Sequence, residues 1–323
     1  MTATALTGDR TGTRPTISVV IAAFASERWD YLCEAVASVA AQTSPALETI
    51  VVIDHNPDLL ARARRELDAV VIPNAGARGA SGARNTGVAR SRGEVVAFLD
   101  DDAAATRGWL GRLRAHFADA GVVGVGGRLD PLWATARPRW FPGEFGWTIG
   151  ASYTGMPERT ARVRNVWASN MAVRRAAFDA AGGFREDFGK VGTVSRPEDT
   201  DLCMRVTDGA WLYDPDSAVS HLVPAQRARF RYFLVRCFNE GRGKAGLAAL
   251  NGAGTSTSEE RGYATRVLPR AILRSLGEGL RGDGAAALRG AAIVAGLGVA
   301  VAGFAVGGMS ATLSRGARPA EAS

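Results

Sequence analysis

Short apolar runs alternate with amphipathic stretches along the first half of the chain. "TISVVIAAF" (Thr16–Phe24), "ETIVVID" (Glu48–Asp54), "AVVIP" (Ala69–Pro73), "EVVAFLD" (Glu94–Asp100) and "VVGVGG" (Val122–Gly127) are rich in β-branched residues, with charge confined to their ends. That is the pattern of strands buried on both faces. Between them, "WDYLCEAVASVAAQ" sets Leu32, Val36 and Val39 near helical spacing. "PDLLARARREL" (Pro57–Leu67) and "RGWLGRLRAHFADA" (Arg107–Ala120) also read as helices, and "NAGARGASGARNTGVARSRG" (Asn74–Gly93) is glycine-rich first and helical after. Such alternation predicts βαβ units around a mainly parallel sheet, an α/β fold whose ligands bind at the carboxyl ends of strands. Asp54 and Asp100–Asp102 stand at two such ends.

The pattern then changes. From about residue 128 to 170 aromatics and prolines collect, as in "RPRWFPGEFGW" (Arg137–Trp147), which suits a loop over a cleft with Trp133, Trp140 and Trp147 packing a lid. "VWASNMAVRRAAFDAAGGF" returns to a strand and a helix stopped at Gly182-Gly183, and "PEDTDLCMRVTDG" opens another helix with acids in its first turn, where the helix dipole favours them. "AWLYDPDSAVSH" reads as strand, turn and strand ending at His221. After it come a basic aromatic helix ("RARFRYFLVRCFNEGRGKA"), a flexible linker ("NGAGTSTSEERG"), a basic apolar segment ("TRVLPRAILRSL") and 25 residues without charge, Gly290–Ser314. That last stretch is long enough to cross a bilayer and carries Gly303-x-x-x-Gly307, which lets helices pack closely in lipid. An alanine-rich soluble hairpin is the plainer alternative. The division expected is a disordered lead-in (1–15), a catalytic domain (16–250) and a membrane-associated helical tail (251–323).

Charge sharpens this division. Residues 1–223 hold 25 Lys+Arg against 26 Asp+Glu, and residues 224–323 hold 14 against 6, so the net charge of +7 resides in the last third. An anionic surface, membrane or nucleic acid, is the expected partner there, and the uncharged stretch favours lipid over nucleic acid. Cys33, Cys203 and Cys237 are far apart and form neither a disulfide framework nor a zinc pattern, so a reducing compartment is expected. The polar start of the chain has no apolar secretory core, and a cytoplasmic location, at the cytoplasmic face of a membrane, follows as an expectation.

The chemistry concentrates in the acids. Mg²⁺ and Mn²⁺ favour oxygen ligands and often bridge one or two carboxylates to a substrate's phosphates. Asp100 and Asp102, one residue apart, can present such a face. Plainer roles stand beside each functional one. Asp54 can cap a helix, Asp101 can simply be solvated, Glu198 and Asp201 can be helix-start acids with Asp201 paired to Arg205, and His55, His116 and His221 can be structural. A dinucleotide-binding oxidoreductase is disfavoured, because no strand-GxGxxG-helix opens the chain. A basic nucleic-acid- or membrane-binding module on a catalytically degenerate fold is the remaining alternative.

Over residues 16–225 the sequence resembles the family 2 glycosyltransferases, inverting enzymes of the GT-A fold. "SVVIAAF", "NAGARGASGARNTGVARSRGEVVAFLDDD", "WASNMAVRRAAFDAAGGFRE" and "PEDTDLCMR" carry the resemblance. It implies a nucleotide-sugar donor (UDP-, GDP- or dTDP-sugar), a glycan or lipid-linked acceptor, no nucleic acid, and Mg²⁺ or Mn²⁺. By the same resemblance Ala22, Ala23 and Phe24 line the nucleoside pocket, Asp54 recognises the base, and Arg84 lies near the nucleotide. Asp100 and Asp102 form the D-x-D motif, with Asp102 the direct metal ligand, Asp100 shared between metal and donor, and Asp101 beside them on the donor side. His221 helps hold the metal, Asp199 is the general base with Glu198 next to it, and Trp167 and Asn170 contact sugar or acceptor. Ile53, Ala168-Ser169 and Pro197 depart from the family pattern, which leaves donor and acceptor identity open.

Overall fold

The structure, a computed structural model, describes residues 14–191, 194–251 and 262–316. Most of the expected disordered lead-in and nearly all of the expected linker fall outside the described residues. Strands β1 (Ile17–Ala23), β2 (Glu48–Ile53), β3 (Val70–Pro73) and β4 (Val95–Asp100) pair in parallel in the order β3-β2-β1-β4. Beyond β4 the sheet reverses. β8 (Asn170–Arg174) runs antiparallel to both β4 and β6 (Val122–Trp133). β11 (Ala210–Val223) is parallel to β6 and antiparallel to β5 (Ala103–Ala105) and β7 (Ala161–Val163). β9 (Gly189–Val191) and β10 (Val194–Arg196) form a separate hairpin. The sheet is therefore mixed: parallel through β3-β2-β1-β4 and again between β6 and β11, antiparallel elsewhere.

Helices cover both faces. On one side α1 (Trp29–Ala40), α2 (Pro57–Glu66) and α4 (Trp109–His116) bury one core with the sheet. α1 does so through Trp29, Leu32, Val36 and Val39, a stripe at helical spacing. Asn56 starts α2 by accepting the Leu59 N–H, and Pro57 occupies the first turn. On the other side α3 (Ala80–Arg90), α5 (Arg175–Ala180) and α6 (Glu198–Arg205) bury a second core. α3 lies close because Gly87 meets Val20 and Val52 where a β-carbon would not fit.

Two expectations need correction. The turn read in "DPDS" is an irregularity inside one strand: β11 keeps its parallel pairing with β6 on either side of a register shift between Asp214 and Val219. The Asp214 carboxylate holds that bulge by accepting from the Asp216 N–H, Ser217 Oγ and His116 Nε2. Burial opposes the charge, but these donors bring the Asp214 pKa down to about 2. The aromatic stretch is also more than a loop. It contains a buried 3₁₀ helix, Gly143–Ile149, and Phe141, Phe145 and Ile149 build a third core with Phe233, Cys237, Leu268 and Ile293. Trp133 and Trp140 pack edge-on into its aromatic rings.

That third core joins helices on both sides of residue 251. α7 (Phe230–Asn251) is followed by a π-helical turn (Tyr263–Val267), α8 (Leu268–Leu280) and α9 (Gly284–Gly316). The Gly303-x-x-x-Gly307 pattern is used within the chain: a β-carbon at Gly303 would meet the Phe238 carbonyl, and one at Gly307 the backbone of Arg242. Gly241 of α7 abuts the Ala300 carbonyl in the same way. Gly303→Val should push α9 off α7 and lower stability by about 1–3 kcal/mol, the usual cost of overpacking. Thermal melts of the full chain check this, with Gly298→Val as the control, since Gly298 has open space around it.

Candidate active site

Register aligns the carboxyl ends of the parallel strands: Ala22 lies level with Asp100, and Ala23 with Ile53. They open into a cavity of about 1340 Å³. Ala22, Ala23, Phe24, Asp54, Arg84, Asp100–Asp102, Trp167, Glu198, Asp199 and His221 all line it. Asn170 does not.

On one side Asp54 follows directly on β2. Its Oδ1 accepts from Asn74 Nδ2 (2.7 Å) and His55 Nδ1 (2.7 Å), and its Oδ2 from the Gly79 N–H (2.9 Å). His55 adopts φ 50° to make this contact. Asn56 does the helix capping, so Asp54 is free of that role. At the floor, buried Arg84 donates to Asp100 (2.9 Å) and Glu198 (3.2 Å), tying the end of β4 to the start of α6.

Asp101 is not a solvated turn residue. It is 4% exposed, and Arg28 Nη1 bridges it (2.9 Å) to Asp102 (3.1 Å). Burial, reinforced by the neighbouring acids and only partly offset by Arg28, pushes the Asp101 pKa up to about 7. Asp102 goes the other way. Burial opposes its charge, yet the His221 hydrogen bond and the Arg28 cation hold its carboxyl below the usual range. His221 Nε2 stands 3.2 Å from Asp102, brought there by the pairing of β11 with β5 and by the Leu222 N–H on the Asp102 carbonyl.

Asp100, Asp102 and His221 present ligand atoms within 4.8 Å of one another. Two carboxylates and an imidazole suit Mg²⁺ or Mn²⁺. His221 Nδ1, on the Gly150 side of the ring, is buried without a hydrogen-bond partner among the described residues. Gly150 presses on the imidazole so closely that a β-carbon there would lie 2.8 Å from its Cε1.

Asp199 lines the same cavity. Its place in the first turn of α6 favours the ionised form, but burial outweighs the helix dipole. Burial first, then the Glu198 charge, lift its pKa to about 7, against the Thr200 N–H and Arg84. Glu198 is engaged with Arg84. Asp201 is buried between Arg205 (2.7 Å) and Arg185 (3.3 Å), a structural role.

Asn170 is the second site correction. It is 1% exposed, its Oδ1 accepts from Trp109 Nε1, and its Nδ2 donates to the Arg128 and Ser217 carbonyls. With each amide group engaged in bracing the sheet, none is left for sugar. Sequence reasoning also missed residues. Arg28 sits between β1 and α1 and reads as an ordinary surface arginine. Tyr232, Arg236, Asn239 and Glu240 of α7 line the cavity, although this helix reads only as basic and aromatic.

Asp102→Ala is expected to abolish Mn²⁺-dependent binding of a nucleoside diphosphate. Asp101→Ala leaves Arg28 one carboxylate short, so it should lower stability by about 1–3 kcal/mol and weaken binding far less. Calorimetric titration and melting measure the two effects, and equal loss of binding at both positions would overturn their separate roles.

Comparison with known proteins agrees with this geometry. Residues 18–182 match the model of the Glycosyl transferase family 2. The chain is 32% identical over 237 residues to the glucosyl-dolichyl phosphate glucuronosyltransferase of Haloferax volcanii, covering 71% of this chain and 76% of that one. Its fold is similar to a mannosyltransferase from Pyrobaculum calidifontis solved with GDP-Man and Mn²⁺ (TM-score 0.58, 18% identity, 92% of this chain and 88% of the other). It is also similar to GalNAc-T7 solved with UDP, GalNAc and Mn²⁺ (TM-score 0.53, 17% identity, 79% and 54%). The mixed sheet with flanking helices is thus of the GT-A type, and the chain belongs to glycosyltransferase family 2.

Proposed function

We propose that this glycosyltransferase is a metal-dependent, inverting enzyme. It moves a sugar from a nucleoside diphosphate donor to a hydroxyl of a lipid-linked or growing cell-surface glycan, at the cytoplasmic face of a membrane. The observation that carries the reading is one cavity holding both a cation-binding group (Asp100, Asp102, His221) and an acid of raised pKa, Asp199. Asp100, Asp102 and His221 would hold Mg²⁺ or Mn²⁺, which when bound would supply positive charge for the departing diphosphate. Arg84 and Arg28 keep the carboxylates in place and add fixed positive charge at the same end of the cavity. Asp199 takes a proton from the acceptor hydroxyl as that oxygen attacks the anomeric carbon from the face opposite the leaving group. A single displacement inverts the centre, with no covalent sugar–enzyme intermediate. The relative that acts on a glucosyl-dolichyl phosphate and the apolar C-terminal helices support a lipid-linked acceptor.

The two solved neighbours hold different nucleotides, one GDP-linked and one UDP. Hydrogen-bond capacity at Asp54 favours uracil or thymine. Three donors already occupy the carboxylate, leaving one lone pair, on Oδ2. A pyrimidine imide offers one N–H, whereas guanine presents two donors side by side and calls for both oxygens. With Mn²⁺, UDP is expected to bind at least about tenfold tighter than GDP, a difference of about 1.4 kcal/mol. Calorimetric titration of both nucleotides tests this, and equal or tighter GDP binding would overturn the base assignment.

Asp199→Asn keeps shape and removes basicity. Donor affinity should stay near normal while transfer falls by about 10²–10⁴-fold. With the Asp199 pKa at about 7 the base is mostly protonated below that pH. Wild-type transfer should therefore rise about tenfold per pH unit toward 7 and level off above it. Product formation by the variant at the wild-type rate would place the base elsewhere.

A further inference from the structure

α8 and α9 present a surface that the catalytic reading does not use. α8 turns Leu268, Ala271 and Ser275 inward and leaves Leu273, Leu276 and Leu280 exposed at 69%, 53% and 90%. These three lie at i, i+3 and i+7, on one face. Arg266, Arg270 and Arg281 are exposed beside them. The acids of this stretch, Glu278 and Asp283, share Arg289, which leaves one negative charge against the three arginines. α9 extends the apolar surface through Leu288, Val294, Val301 and Met309. An apolar face bordered by arginines complements a leaflet containing anionic lipid.

By length and composition Gly284–Met309, 26 residues that include a stretch of mean hydropathy 2.0, can span a bilayer. Its packing argues otherwise. Gly296, Gly303 and Gly307 of α9 lie against α7 at Phe233, Phe238 and Arg242, backbone on backbone at the last two. α7's other side carries Arg236, Asn239 and Glu240 into the catalytic cavity. Taking α9 across the hydrocarbon core would draw that charged row in with it, at a cost the exposed apolar side chains do not offset.

We infer that α8 and α9 form a monotopic docking face that lies on an anionic phospholipid surface without crossing it. The inference rests on the membrane-side reading above and specifies its mode. The face is rigidly joined to the catalytic cavity. Arg274 of α8 pairs with buried Glu144 (2.6 Å), and Tyr263 Oη donates to the Glu144 and Thr154 carbonyls, gripping the segment that places Trp147 and Gly150 in the cavity wall.

The test uses the full chain and needs no sugar substrate. It should float with phosphatidylglycerol–phosphatidylcholine vesicles, bind pure phosphatidylcholine more weakly, and be released from membranes by alkaline carbonate. Leu273→Asp/Leu276→Asp/Leu280→Asp should cut vesicle binding by at least about tenfold with Mn²⁺-dependent UDP binding unchanged. Arg266→Glu/Arg270→Glu/Arg281→Glu, which leaves the packed faces untouched, should remove the preference for anionic vesicles. Retention in the membrane after carbonate would show a spanning helix and overturn the proposal. Failure to bind any vesicle, or wild-type binding by both variants, would overturn it equally. Transfer to a water-soluble acceptor is scored separately, so a failed transferase reading and a failed docking face give different results.

Discussion

Three adjacent carboxylates leave a buried strand at one point, and their mutual repulsion is the constraint around which the cavity is built. Asp100, Asp101 and Asp102 are held together by two arginines from different elements, Arg84 on α3 and Arg28 ahead of α1. Each arginine serves two acids. Arg84 joins Asp100 to Glu198, and Arg28 joins Asp101 to Asp102, so the cations draw α3, α6 and the β1–α1 connection to the same strand end. One of the three carboxyls, Asp101, is pushed toward the neutral form. The charge that remains is concentrated on Asp100 and Asp102, the pair that faces His221. Buried pairs of this kind contribute little net stability, because desolvation offsets their attraction. What they provide is position.

The cavity has two chemically distinct ends as a result. At the cation end, His221 and Arg28 hold the Asp102 carboxyl below the usual range, while burial lifts Asp101 to about 7. At the α6 end, Asp199 has Glu198 beside it, but Arg84 is committed to Glu198 and Asp100. The same burial therefore gives opposite outcomes. Asp102, with both His221 and Arg28 on it, is held charged, whereas Asp101 and Asp199, whose single donors do not offset burial and the neighbouring acids, exchange a proton near neutral pH.

The parallel half of the fold was legible because period and chemistry agree there. Buried β-branched runs could only be strands, and the acids at their ends marked the ligand edge. The motifs located Asp54, Arg84, Asp100, Asp102, Glu198, Asp199 and His221, and the structure brings all seven into one cavity. Asn170 departs from the sugar contact that the resemblance implies, because the fold alone brings Trp109 and two carbonyls onto its amide. Asp101 was misread because its partner lies 73 residues away, and no local pattern announces a long-range ion pair. The bulge in β11 was taken for a turn because "DPDS" has turn chemistry; the strand survives because Asp214 satisfies the bulged backbone itself. In the tail, glycines spaced for helix contact were legible as such, but their partner was not, since spacing does not distinguish a neighbouring chain from α7 of the same one.

α7 is shared by two layers. One row of its side chains lines the cavity, and another accepts the glycines of α9. A helix used on two faces has few positions at which it can drift. A change in the row that lines the cavity alters the seat of α9 on the other, and a bulkier α9 displaces the cavity wall. In the history of such a chain, the shape of the cavity and the packing of the tail are inherited together, and a graft of this tail onto another catalytic domain would have to bring α7 with it.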